Sequence, residues 1–199
     1  MSTPRKRPAP RAPGRPRSNT SRAAILKAAY QILRESGFAG FTVEGVAARA
    51  GAGKATIYRW WQTKGTLAIE AFLVAVAPRM DAARESDSAL GDLRRQVHVA
   101  ATLYRGRVGQ LLRELIALGQ EDSETNRVLR SDFVEPRRQA ALQLLRRAQA
   151  AGEINTQTDI EVLADALWGP IFHRLLVSRM PLDRNFVDKL LDLVLRGAL

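Results

Sequence analysis

Cysteine is absent from the 199-residue chain. That excludes disulfide scaffolds, thiolate metal centres and a cysteine nucleophile together. Histidine is scarce: His98 and His173 are the two copies, too few for a histidine-built metal site within one chain. Long apolar runs are missing. The longest, Ala71 to Ala77, has seven residues, against the roughly 20 that a membrane-spanning helix requires. The first 30 residues hold no central apolar stretch, so no secretory signal is expected and a cytoplasmic location is. Enzyme signatures are lacking too. There is no Gly-x-Ser-x-Gly elbow, phosphate-binding glycine loop, dinucleotide fingerprint or His-Glu-x-x-His. The acids are scattered at surface spacing, so no catalytic residue, cofactor or metal is expected.

Acid is also lacking from the first third of the chain. Residues 1–66 carry thirteen basic side chains against Glu35 and Glu44, whereas residues 67–199 carry 18 of each sign. The whole net charge of +11 therefore sits in the first third. A basic solubilising tail would explain residues 1–20, which hold six basic residues and no acid, but not the excess over 21–66. A polyanion is the natural partner.

Residues 1–19 form a Pro/Arg arm: the first 20 residues contain five of the nine prolines. Such a segment cannot bury apolar surface and is expected to be disordered alone. Its Pro13-Gly14-Arg15-Pro16-Arg17 stretch resembles an AT-hook core, in which Arg15 and Arg17 would enter a narrow minor groove. A non-specific tail is an equal reading. From Thr20 the apolar spacing is helical, with Ile25, Ala28, Ala29, Ile32 and Leu33 on one face. Short helices fit 43–50, capped by Thr42, and 54–61, with Gly51 in the turn between them. A fourth runs from about 64 to 76 and stops at Pro78. Longer ones fit 89–104, 107–119, 124–151, 157–177 and 183–197, with Pro136 kinking or restarting the third of these. No segment alternates like a strand. The fold class is all-α: an N-terminal three-helix helix-turn-helix domain at 20–66 and a C-terminal helical bundle at 67–199.

Ala47, Ala48 and Ala50 let the second and third helices approach closely, and Val46 and Ile57 supply apolar contact. This is the layout of a helix-turn-helix whose second helix enters a major groove, although an ordinary helical hairpin shares it. Lys54 and Lys64 separate the two readings. Each opens a helix, where lysine is electrostatically unfavourable unless an anion lies in front. Double-stranded DNA facing both ends, and Thr42 at the start of helix two, would supply that anion.

The chain resembles the TetR/AcrR family of transcriptional regulators. The matching residues are Ile25-Leu26, Ala28-Ala29, Gly37-Phe38, Phe41-Thr42-Val43, Val46-Ala47, Ala50-Gly51, Thr56-Ile57-Tyr58, Lys64 and Leu67. The resemblance implies phosphate contacts from Thr42, Thr56, Tyr58 and Lys64, and base contacts from Lys54, Ala55, Arg59 and Trp60. Lysine or arginine would meet guanine, and Ala55 a thymine methyl. Trp61 stands where the family often has phenylalanine and is expected to be buried. Gly53 replaces the usual serine-type cap. Glu44 would face DNA as a like charge or accept from cytosine.

The family also implies a homodimer built from the last two helices. Ile160, Leu163, Leu167, Ile171 and Leu175 share one face, and Phe186, Leu190, Leu193 and Val194 another. It implies a pocket for a small, mostly apolar effector, for which Phe72, Val76, Met80, Leu103, Tyr104, Leu111, Leu115, Trp168 and Phe172 are candidates. Ligand would shift helix four through Leu67, Ile69 and Phe72 and change the spacing of the recognition helices. A non-specific architectural DNA-binding protein is the principal alternative. RNA binding lacks a stacking platform.

Overall fold

The computed structural model describes residues 19–80, 86–121 and 123–197. Arg15 and Arg17 lie outside them. The described residues form α-helices joined by short turns, with no strand among them. The first three are α1 (Asn19–Ser36), α2 (Val43–Ala50) and α3 (Lys54–Tyr58). They are followed by α4 (Lys64–Met80), α5 (Ala89–Tyr104), α6 (Arg107–Glu121) and α7 (Ser123–Leu129). The last are α8 (Glu135–Ala150), α9 (Ile160–His173) and α10 (Arg184–Arg196).

Glycines end two of the early helices as expected. Gly37 and Gly51 hold positive φ (69° and 62°), the left-handed conformation open to glycine without strain. Thr42 caps α2, its Oγ1 accepting from the Gly45 N–H at 3.0 Å. The third helix is shorter than the expected 54–61. The Trp60 N–H closes onto the Ile57 carbonyl three residues back, at 2.9 Å, so the chain tightens out of α geometry there.

The later expectations need three corrections. Pro78 does not stop α4; it sits in the last turn, and the helix runs on to Met80. Its missing N–H would have met the carbonyl of Val74, an exposed residue where water can serve instead. The expected 124–151 helix is broken by a π turn at Arg130–Val134, after which α8 opens with Pro136 in its first turn. The Glu135 N–H reaches back five residues to the Arg130 carbonyl, and the proline that follows has no N–H to continue an α ladder. The expected 157–177 helix starts at Ile160 instead. Asn155 Oδ1 takes the Gln157 N–H at 2.8 Å, a local turn that competes with helix, and Asp159 becomes the cap.

One buried apolar core runs from Ile25 in α1 through α4 to Leu195 in α10. α4 crosses the boundary expected at 66/67 unbroken, packing on α1 and reaching α5, α6 and α7. A close approach fixes α6: a Cβ at Gly109 would strike the Tyr104 backbone carbonyl, so glycine is required there.

At the far end, Glu153 seals the start of α5. Its carboxylate accepts from the Leu90 and Ala89 N–H groups and the Ser88 hydroxyl, each at 2.9 Å. The Leu90 N–H chiefly, then Ala89 and Ser88, hold this carboxyl below its ordinary 4.5 against the opposing effect of burial. Glu153→Gln is expected to lower stability by about 1–2 kcal/mol at pH 7. Because the folded carboxyl titrates below 4.5, its contribution is complete above that pH and fades as the pH falls through the lowered value. Urea melts of both proteins from pH 7 to pH 3 should therefore converge; a constant gap would contradict the assignment.

Candidate nucleic-acid interface

The helix-turn-helix sorts its residues cleanly. Ile25, Leu26, Leu33, Phe41, Val43, Val46 and Ile57 are buried where α1, α2 and α3 meet. Thr42, Lys54, Ala55, Tyr58, Arg59 and Lys64 are all exposed, while Thr56 and Trp60 are half-buried. Tyr58 keeps 51% of its surface open despite its size. Thus the eight described candidates lie outside the core, on α3 and the turn that follows it and at the starts of α2 and α4.

Charges on this face are partly engaged. Lys54 pairs with Glu44 at 3.2 Å, so Glu44 is a tether for α3 rather than a lone like charge. The backbone around Glu44 chiefly, then Lys54, lowers its pKa below 4.5. Lys64 Nζ donates to the Phe41 carbonyl at 3.4 Å and sits 4.4 Å from the Phe38 ring centroid. This holds the ammonium beside the entry to α2. Arg59 makes no ion pair among the described residues.

Trp61 is buried, 3% exposed. Its Nε1 donates to Glu70 Oε2 at 2.5 Å, and the other Glu70 oxygen takes Arg22. The Arg22 guanidinium in turn lies 5.6 Å and 5.9 Å from the Trp60 and Trp61 ring centroids. The cluster ties the start of α1 and the end of α3 to α4. Trp60 is thereby packed on one side.

Two further links join this unit to α6. Arg107 donates to the Arg34 and Leu33 carbonyls at 2.9 and 3.0 Å in the last turn of α1, where the Leu33 carbonyl also takes the Gly37 N–H. Glu114, two turns on, accepts the Phe38 N–H at 2.7 Å. Sequence reading placed the connection in Leu67, Ile69 and Phe72, all fully buried. It missed Glu70, Arg107 and Glu114, whose partners in α1 and the turn after it lie 48 to 76 residues away and leave no local signal.

A partly open cavity of about 300 Å³ lies between α5, α8 and α9. Tyr104, Trp168 and Phe172 of the sequence candidates line it, joined by Phe133, Arg137 and Arg138. Phe72, Val76, Leu111 and Leu115 are instead closed core; Leu103 and Met80 are buried too, and none of the six lines the cavity. The omission of Phe133 and Arg137 follows from their setting, since Glu-Pro-Arg-Arg-Gln reads as a solvated surface. Tyr104 is buried, which pushes its phenol up to about 12, partly offset by the Arg137 charge.

The interface candidates divide in the same way. Leu163, Leu167, Ile171, Leu175 and Leu190 are buried within the protomer, so they have little area left for a partner. Ile160, Phe186 and Val194 are half-buried and Leu193 is exposed. The outward face of α9 carries Val162, Ala166 and Gly169 instead. No group of three potential metal ligands occurs among the described residues, and none of their helices is long and apolar enough to cross a membrane.

Comparison with known proteins agrees with this geometry. Residues 25–71 match the model for bacterial regulatory proteins of the tetR family, and residues 83–194 match the tetracyclin repressor-like C-terminal domain. The chain is 36% identical over 184 residues to the HTH-type transcriptional regulator YdeS of Bacillus subtilis, covering 92% of each. It is 29% identical to the DNA-binding transcriptional repressor TetR of Mycobacteroides abscessus, over 90% of this chain and 94% of that one. Among solved structures, the TetR family regulator SCO0332 superposes with a TM-score of 0.79 at 34% identity, over 91% of this chain and all of that one. FadR from Bacillus subtilis, in complex with stearoyl-CoA, shares the fold at 19% identity, with a TM-score of 0.69 over 89% of this chain and all of FadR. The chain belongs to the TetR family of DNA-binding transcriptional regulators.

Proposed function

We propose that the chain is a homodimeric repressor that holds a roughly palindromic operator and releases it when a small, mostly apolar ligand enters the cavity between α5, α8 and α9. The exposed crest of Thr42, Lys54, Ala55, Tyr58, Arg59 and Lys64 above an apolar core carries the DNA-binding part. In this reading Lys64 and Thr42 hold phosphates at the starts of α4 and α2. Lys54, Ala55 and Arg59 face base edges in the major groove. Two copies would address grooves about 34–36 Å apart. The arm, with Arg15 and Arg17, would add minor-groove or phosphate contact.

The dimer reading rests on the faces of α9 and α10 that remain open. Val162, Ala166 and Gly169 recur at helical spacing on α9, as do Phe186 and Leu193 on α10. Adjacent apolar faces of this kind mark an interface more readily than scattered single residues do. In the ligand reading, cavity occupancy moves α4 and α6. Those helices pull on α1 and α3 through Glu70, Arg107 and Glu114, for a coupling of about 1–3 kcal/mol. The same fold in FadR is bound to stearoyl-CoA, whose acyl chain is apolar, which supports effector binding as such.

Sequencing genomic fragments retained by the purified protein at about 150 mM salt tests the DNA reading, because non-specific phosphate binding is weakened there. One palindromic motif is expected. Retained DNA with no motif would favour the architectural alternative. Two substitutions then separate the roles. Lys64→Ala is expected to weaken all sequences about equally. Arg59→Ala is expected to relax preference at one operator position, by about 1–3 kcal/mol. Gel-shift titrations on an operator panel check both, and the reverse pattern would exchange the assignments.

A further inference from the structure

We infer that Glu44 is a specificity-determining residue, and that its carboxylate and the Lys54 ammonium read one G·C base pair together, cytosine through Glu44 and guanine through Lys54. This rests on the reading of α3 as the helix that enters the major groove. Glu44 lies in the first turn of α2 and Lys54 opens α3. The fold brings their side chains to 3.2 Å, with both still largely open to solvent, at 64% and 58%. Lys54 takes one carboxylate oxygen, Oε1. A carboxylate has about four acceptor sites and an ammonium three donors, so each keeps capacity for a base edge.

Charge makes the position informative. Residues 1–66 contain two acids, and the other, Glu35, is held by Arg49 at 2.7 Å where the last turns of α1 and α2 meet. Glu44 is the acid of this region that stands beside the crest. Its own backbone chiefly, then Lys54, lowers its pKa, so it is ionised at neutral pH. A negative charge there opposes phosphate attraction at every DNA sequence. A hydrogen-bond donor on a base edge offsets that cost, and does so at the right sequence alone. The major groove offers two such donors, cytosine N4 and adenine N6. A G·C pair presents guanine N7 and O6 side by side as acceptors, then cytosine N4 as the donor next to them. O6 and N4 lie about 2.9 Å apart, as partners in the pair's own hydrogen bond, which matches the spacing of ammonium and carboxylate. An A·T pair puts its donor between two acceptors, with a methyl beside the second, so the ammonium would meet one acceptor and that methyl.

Selection from a pool of random duplexes at about 150 mM salt, run with the full chain and with each variant, tests the inference. The unsubstituted chain is expected to select G·C at one position of each half-site. Glu44→Ala and Lys54→Met should both relax that same position, by about fivefold to a hundredfold, the worth of one good base contact. Glu44→Ala should also bind non-operator duplex about threefold to tenfold more tightly, because a charge that repels phosphate is gone. Glu44→Gln should move the preference at that position toward A·T, since glutamine pairs with adenine N6 and N7. Both positions are exposed, and melting curves confirm that the variants are folded. If Glu44→Ala leaves the motif unchanged, whatever its effect on overall affinity, or if the alanine and methionine variants relax different positions, the shared reading is overturned and α3 remains the recognition helix. Failure of the unsubstituted chain to select any motif overturns the major-groove reading with it.

Discussion

Trp61→Ala is expected to destabilise the protein by about 3–5 kcal/mol, the range for removing a buried tryptophan. Three contributions converge on this residue. The indole is 3% exposed, so its removal leaves a large cavity between α3 and α4. Its N–H is one of the groups that hold Glu70, and losing it leaves a half-buried carboxylate short of a donor. The Arg22 guanidinium beside the ring loses a face against which it packs. Against a total stability of about 5–15 kcal/mol, this is a large fraction. A drop in melting temperature of roughly 10 °C is expected for a chain of this size. Thermal melts by circular dichroism, at one fixed protein concentration, check it. Trp61→Phe should be milder, by about 1–2 kcal/mol, because it keeps the buried ring and loses the hydrogen bond. A shift below 2 °C for the alanine variant would contradict the packing. DNA binding should weaken with stability, because the Trp61–Glu70–Arg22 cluster fixes the end of α3 to α4.

The helices were legible because their signals are local. The apolar spacing of Ile25 to Leu33, the Thr42 cap and the left-handed glycines at 37 and 51 lie within a few residues of what they determine. So was the sorting of the helix-turn-helix, where small and branched apolar residues point inward and lysine, arginine and tyrosine outward. Two kinds of feature were not legible. Partners distant in sequence, such as Glu114 with Phe38, depend on how completed helices pack. The orientation of α9 was ambiguous because it is apolar on more than one side. Leu163 and Val162 are adjacent and similar, and periodicity cannot say which of the two turns inward. The structure turns Leu163, Leu167 and Ile171 into the core and leaves Val162 64% exposed. Larger side chains fill the interior, while the smaller Ala166 and Gly169 stay outside, where they would permit a second helix to approach.

That arrangement makes Leu193→Lys a severe test of the dimer. Leu193 is 75% exposed in the protomer, so the substitution should change protomer stability by no more than about 0.5 kcal/mol. In a two-fold interface the same patch meets its own copy, so one substitution places two lysines in the contact. Desolvating an unpaired ammonium costs several kcal/mol, and two like charges add repulsion. The expected result is a monomer by light scattering at micromolar concentration with an unchanged helical spectrum. Operator affinity should then fall by about a hundredfold or more, because each protomer grips a half-site without the second one tethered beside it. Val74→Lys is the matched control: it too replaces an exposed aliphatic side chain, but on α4, and should leave the dimer intact. If Leu193→Lys remains dimeric with full operator affinity, the face shared by α9 and α10 is not the interface. Loss of the dimer with retained affinity would instead separate assembly from DNA binding and remove the requirement for a palindrome.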